Sequence, residues 1–210
     1  MNGAIETIEY RGHTILIHLD DDAQDPRKEF DYLGHMVCWH RRYNLGDKHN
    51  FSDPSDAKEM FKETHALVLL LYLYDHSGIT MSSSPFSCPW DSGQVGYIYV
   101  TLEEVKKEWG CKQVTPTIRR KAMACLQSEV EEYDQYLTGQ VYGFEVKETG
   151  DSCWGFYGDM KYVIEEAKSS VDGHIKHERA EHIKKLKAWV KGRVGLLYRE
   201  PFEMGGGAYA

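Results

Sequence analysis

The chain has 210 residues, 41% hydrophobic and 28% charged, a usage that excludes a disordered polypeptide and fits one globular domain with an added helical piece. Lys and Arg number 25 against 33 Asp and Glu, so the net charge of −8 excludes a basic nucleic-acid coat, and it is too dilute to make the whole chain a nucleic-acid mimic. The longest apolar run, Ala66 to Tyr74, is short of the roughly 20 residues a membrane helix needs.

The first residues lack the cationic start and apolar core of a signal peptide. The five cysteines include no CxxC pair and read as reduced thiols. The expected place is the cytoplasm, with no membrane partner and no cofactor.

In chain order, Ile5 to Tyr10 and Thr14 to Leu19 alternate around Arg11-Gly12-His13 and predict a hairpin. Residues 20–34, with Asp20-Asp21-Asp22, read as a polar loop. Leu33 to Tyr43 is a mixed apolar, aromatic and basic run, and Asn44 to Asp53 a loop. Asp53-Pro54 signals a helix start over Ser55 to Glu63. Ala66 to Tyr74 has the length of a central strand covered on both faces. Residues 75–94 are rich in serine and predict an ordered loop with a strand around Ile79 to Ser82.

Val95 to Thr101 alternates as a strand, and Thr101 with Glu104 has the spacing of a capping box, predicting a helix over Leu102 to Trp109 that stops at Gly110. Thr115-Pro116 opens a long helix. Ile118, Ala122, Leu126, Val130, Tyr133 and Leu137 form one apolar stripe on it before Gly139 ends it. Gln140 to Lys147 and Ser152 to Tyr157 flank a hairpin turn. Asp159 is placed to cap a helix through Lys168, and Val171 to Val194 reads as a further helix. The order predicts an α+β fold: a single domain with a mainly antiparallel sheet and two long helices, near 116–137 and 171–194.

Charge is unevenly spread. Residues 1–170 carry −11 and residues 171–195 carry +4, an acidic body with a basic helix. That helix is expected to pack on the body, to project toward an acidic partner, or to join a homo-oligomer. In the 116–137 helix, Arg119-Arg120-Lys121 lie in the first turns and Glu129, Glu131, Glu132 and Asp134 toward the end, both against the helix dipole. The basic helix is the expected neighbour that offsets this order. Residues 203–210 are glycine-rich and read as a frayed tail.

Several segments could carry chemistry. His35, Cys38 and His40 are zinc-ligand types, but they form one partial cluster without a paired knuckle. Trp39-His40-Arg41-Arg42-Tyr43 suits stacking on a base and pairing with a phosphate, or is an amphipathic surface strand. Asp75-His76-Ser77, with Ser82, Ser83, Ser84, Ser87, Cys88, Asp91 and Ser92, supplies a nucleophile, a base and an acid without a nucleophile elbow. The same residues also read as a loop that satisfies its own backbone, or as a polar ligand pocket. The carboxylates of the 116–137 helix would serve a two-metal hydrolase only if they converged. His177 and His182 are five apart and so fail the spacing of a metalloprotease helix.

CPWDSGQVGYIYV, EVEEYDQYLTGQVYGFEV and DSCWGFYGD resemble the motifs of a family of small proteins encoded by phages, plasmids and integrative elements, over about Asp31 to Ala167. The resemblance brings no reaction with it. It implies an accessory protein of a mobile element that opposes host defence or manages nucleic acid. The expected function is antagonism of bacterial defence by binding, the partner being a host defence protein or a nucleotide signal; the alternative is a metal-dependent hydrolase acting on nucleic acid or nucleotides. The candidate surface comprises Trp39, His40, Arg41, Arg42, Asp75, His76, Ser77, Trp90, Asp91, Ser92, Asp151 and Trp154.

Overall fold

The computed structural model describes residues 3–193. The first hairpin joins β1 (Glu6–Tyr10) to β2 (His13–Leu19). Its two turn residues, Arg11 and Gly12, both have positive φ, the conformation that matches a two-residue turn to the strand twist. The expected loop 20–34 contains a single helical turn, α1 (Pro26–Glu29), whose Arg27 amide is capped by the Asp25 carboxylate.

The next elements are β3 (His35–Cys38), α2 (Pro54–Glu63), β4 (Leu67–Asp75), β5 (Ile79–Ser82) and β6 (Ser92–Val100). They are followed by α3 (Leu102–Glu108), α4 (Pro116–Leu137), β7 (Val141–Val146), β8 (Ser152–Tyr157) and α5 (Met160–Arg193). The fold is α+β with antiparallel strands, as the pattern predicts, but the strands form two sheets of four instead of one. The order is β1-β2-β7-β8 in the first sheet and β3-β6-β4-β5 in the second.

Alternation decides which face of each strand is buried. In the first sheet Ile15, Ile17, Phe144 and Val146 pack against Val163, Ala167 and Val171 of α5. In the second, Leu71, Leu73, Met81, Ile98 and Val100 meet Leu126, Val130 and Tyr133 of α4, each a fully buried side chain worth about 1.5–3 kcal/mol. On its other face Val37 and Tyr97 pack against Ala57 and Phe61 of α2. β4 is central, as expected, but it is covered on both faces only near its start, and Leu70 remains 41% exposed. A register shift at Leu71/Tyr72 leaves Val95 of β6 without an opposite residue. Beside it, a Cβ on Gly96 would lie 2.0 Å from the Val37 carbonyl oxygen, so only glycine lets β3 approach β6 there.

The helices expected at 159–168 and 171–194 are one continuous helix, because neither Ser169-Ser170 nor Gly173 breaks it and Val171 is buried. Its first half lies on β2 and β7. From Lys176 to Arg193 every residue except Glu181 is exposed, so this half projects from the body. Residues 194–195 of the basic segment and the tail 203–210 lie outside the described residues.

The acidic residues of α4 are offset by other neighbours than the basic helix. Glu129 is buried and meets Arg27, while Asp134 accepts from Thr80 Oγ1 and the Met81 amide of β5. The Arg27 guanidinium, its side chain 2% exposed, also grips both oxygens of Asp47, at 2.8 and 2.6 Å, and donates to the Gly34 carbonyl at 2.6 Å. Burial disfavours its charge, but Asp47 and Glu129 outweigh this and raise its pKa.

Two stability predictions follow from these contacts. Arg27→Met strands two carboxylates, one fully buried, and is expected to cost about 3–5 kcal/mol in urea unfolding, while Glu129→Gln, which keeps hydrogen-bonding atoms, costs less. A loss below about 1 kcal/mol for Arg27→Met would show the network to be dispensable. At the start of α3 the expected capping box forms, with Thr101 Oγ1 2.7 Å from Glu104 and His35 Nε2 also at 2.7 Å. Burial disfavours the Glu104 carboxylate, but the bonds from Thr101 and His35 prevail and hold its pKa below the usual range. A carboxylate depressed on folding stabilises above its unfolded pKa and loses that contribution as pH falls through the folded value. Acid unfolding of Glu104→Gln is therefore expected to be less steep than that of the wild type; an unchanged profile would refute the linkage.

Candidate functional site

Three sequence segments meet at one end of the second sheet. β4 ends at Asp75 and β6 begins at Ser92, and the two strands are neighbours, so Asp75 and Asp91 come together despite their separation in the chain. The Asp75 amide donates to the Asp91 carbonyl at 2.8 Å. The turn after β3 brings residues 39–43 to the same place.

The Asp75 carboxylate accepts from Arg42 Nη2 and, at 3.3 Å, from the Tyr43 hydroxyl. The Arg42 guanidinium lies 5.4 Å from the Tyr43 ring centre. The His40 ring stacks on Tyr43 at 4.9 Å, and its Nδ1 accepts from the amides of Arg42 and Tyr43, which fixes the turn. On the other side Asp91 takes His76 Nδ1 at 3.3 Å, and His76 stacks on Tyr74. Ser92 Oγ donates to the Cys88 carbonyl at 2.5 Å and closes the loop that carries Trp90. Ser77 sits at φ +58 in the β4–β5 turn, where the His76 amide reaches the Gly78 carbonyl. Arg41 is exposed. Trp90, next in the chain to Asp91, is 91% exposed.

Not every nominated residue joins. Trp39 points to the opposite face and packs with His49 and Tyr97 near α2, so it cannot stack on a base. Asp151 and Trp154 belong to the first sheet. Asp151 accepts weakly from Ser170 and lies 4.0 Å from His174 of α5. Trp154 covers Gly143, where a Cβ would lie 2.2 Å from the indole, and sits 5.8 Å from the His18 ring.

Trp154 also lines a groove of about 840 Å³ that the sequence did not suggest. The groove opens on the face of the first sheet opposite α5. Phe30 and Tyr157 add rings to it, Asp22, Glu29 and Glu145 add charge, and among the described residues no lysine or arginine lines it. Its parts are far apart in the chain, and only the pairing of β2, β7 and β8 unites them. Tyr74 and Phe86, 5.7 Å apart, are likewise part of the first surface and were not nominated; their signal was the alternation that puts Tyr72 and Tyr74 on one side of β4.

Chemically, the first surface is a platform and lacks the order of a nucleophilic triad. The Cys88 thiol and the His76 ring both contact Asp91, at 3.9 and 3.3 Å, so the carboxylate stands between the candidate nucleophile and base. The partial zinc cluster also disperses: His35 pairs with Glu104, His40 holds its own turn, and burial pushes the Cys38 thiol up to about 12. Among the described residues no three His, Cys, Asp or Glu side chains converge as metal ligands.

The two aspartates should respond differently to mutation. Asp75→Ala removes the acceptor of two side chains and is expected to cost about 1–3 kcal/mol in thermal or urea unfolding. Asp91→Asn alters an exposed ion pair, while the backbone carbonyl that ties it to Asp75 remains, and is expected to cost about 1 kcal/mol or less. The reverse order would show that Asp91 and not Asp75 organises the platform. No family model, curated protein or solved structure matches this chain.

Proposed function

We propose that this chain is a non-catalytic binding protein of a mobile genetic element, which antagonises host defence in the cytoplasm of the carrying bacterium by occupying a defence protein through the Arg42–Asp75–Trp90 platform. The observation that carries this reading is Trp90, 91% exposed and next in the chain to Asp91, which joins the Arg42–Asp75 network. Protein interfaces draw most of their affinity from a few tryptophan, tyrosine and arginine side chains, and Arg42, Tyr43 and Trp90 supply one of each. Arg42 and Tyr43 are held by Asp75 before binding, which lowers their ordering cost.

The resemblance to phage and plasmid proteins supports the biological setting. A protein partner is favoured over a nucleotide signal on two grounds. No wall encloses the Trp90 ring, and a base gains most when held between surfaces. The large groove on the first sheet is lined by carboxylates, the wrong sign for a phosphate. The hydrolase alternative draws no support from α4, whose carboxylates are directed apart: Glu129 to Arg27, Glu132 to Tyr32, and Asp134 to β5.

Expressed in a bacterium whose defence system restricts a phage, the wild-type chain is expected to restore plating, and a Trp90→Ala/Arg42→Ala variant to fail although it remains folded, its melting temperature lowered only by the lost Arg42 contact to Asp75. With the captured defence protein in hand, Trp90→Ala alone should weaken binding by about 2 kcal/mol or more. Full protection by the double variant would remove the platform from the function. Turnover of nucleic acid or nucleotides by the purified chain with Mg²⁺ or Mn²⁺ would replace binding by hydrolysis.

A further inference from the structure

The projecting half of α5 is amphipathic. Ile183, Leu186, Trp189 and Val190 are 46–56% exposed and recur at helical spacing, so they form one stripe that, among the described residues, no other element covers; Arg193 of the same helix lies 4.4 Å from the Trp189 ring centre. The stripe is flanked by cations: residues 176–193 carry seven Lys and Arg against two Glu, a net +5. The acidic groove on the first sheet has the complementary character. It offers exposed rings, Phe30 at 51% and Trp154 at 46%, beside Asp22, Glu29 and Glu145.

The two surfaces cannot meet within one chain. α5 is a continuous helix anchored on one face of the first sheet by Val163, Ala167 and Val171, and the groove opens on the other face. Pairing of two projecting helices side by side is opposed by +5 on each. We infer that this chain self-associates reciprocally: the projecting half of α5 of one copy seats its apolar stripe and cations in the acidic groove of a second copy, and the second copy does the same in return. A reciprocal contact is closed and buries both surfaces twice. Self-association goes beyond the binding function proposed above, and its test does not depend on the defence partner.

Sedimentation of the full chain tests the contact. The wild type is expected to be a dimer whose affinity falls at high salt, since opposite charges attract across the interface. Arg179→Glu/Lys187→Glu on the helix, or Glu29→Lys/Glu145→Lys in the groove, should each weaken dimerisation by at least about tenfold without altering the helical circular dichroism. Mixing the two charge-reversed chains should restore a dimer, because each reversed surface then faces its complement. A wild type that stays monomeric at low salt overturns the inference, as does a dimer that strengthens with salt or survives helix reversal, which would mean apolar helix-on-helix pairing. Should the groove variant fail to fold, the salt response of the wild type and the helix variant still decide. Binding of a monomeric wild type to anionic phospholipid vesicles would overturn it in favour of a lipid surface for the same stripe.

Discussion

The Arg27 guanidinium sets the position of much that surrounds it. From a helical turn too short to be stable alone, it reaches Asp47 in the loop after β3, Glu129 in the middle of α4 and the Gly34 carbonyl just before β3. Tyr32 covers it, ring centre 4.4 Å away. Its partners are themselves bound: Asp47 accepts the Met36 amide at 2.7 Å, and Glu129 accepts the amides of Leu33 and Gly34 at 3.1 Å. β3 is an edge strand of four residues, with few ladder bonds of its own, so this network rather than pairing alone fixes its place. Gly34 completes the constraint, since a Cβ there would stand 2.4 Å from Leu126. Against well-packed apolar residues such a network adds little net stability, but it admits one arrangement of three elements. The turn that carries His40 and Arg42 leaves directly from β3, so the platform inherits its position from Arg27.

What the sequence discloses and what it hides follow from the range of each interaction. The bounds of α4 and the capping of α3 were legible because a stripe, a proline and a cap lie within a few residues of one another. The division into two sheets was not, because alternation says which face of a strand is buried and nothing about which strand lies beside it. β2 pairs with β7 across the whole second sheet and α4. The continuity of α5 was misread at Ser169-Ser170 and Gly173, where a helix loses only about 1 kcal/mol per glycine and the burial of Val171 outweighs it. Arg27 gave no signal at all: a buried arginine has the same letter as an exposed one, and its partners lie 20 and 102 residues away.

The candidate surface was partly legible for the same reason. Segments 39–43, 75–77 and 90–92 are each near a strand end, and the strands β3, β6 and β4 are adjacent in that order. Strand ends are where polar groups can be held rigidly and still meet solvent. The likeness of Asp151-Ser152-Cys153-Trp154 to these segments was real in composition but misleading in space, since its strand belongs to the first sheet. Trp39 follows Val37 by two residues and shares its side, facing α2, whereas beyond it the chain turns, so that His40 stacks on Tyr43 and Arg42 reaches Asp75.

The charge separation acquires a different meaning once the helix is seen to project. In a flexible tail, cations held near an acidic body fold back on it, and the attraction is spent within the molecule. α5 is stiff. From Lys176 to Arg193 it extends about 27 Å at 1.5 Å per residue, and its root is locked to the first sheet by three buried side chains. Stiffness therefore keeps the +5 segment away from the carboxylates of its own groove on the far face of that sheet. An attraction that the fold forbids inside one chain remains available between chains. Under the proposed self-association, two copies would present two platforms at once, which would raise the avidity for any partner that offers more than one site.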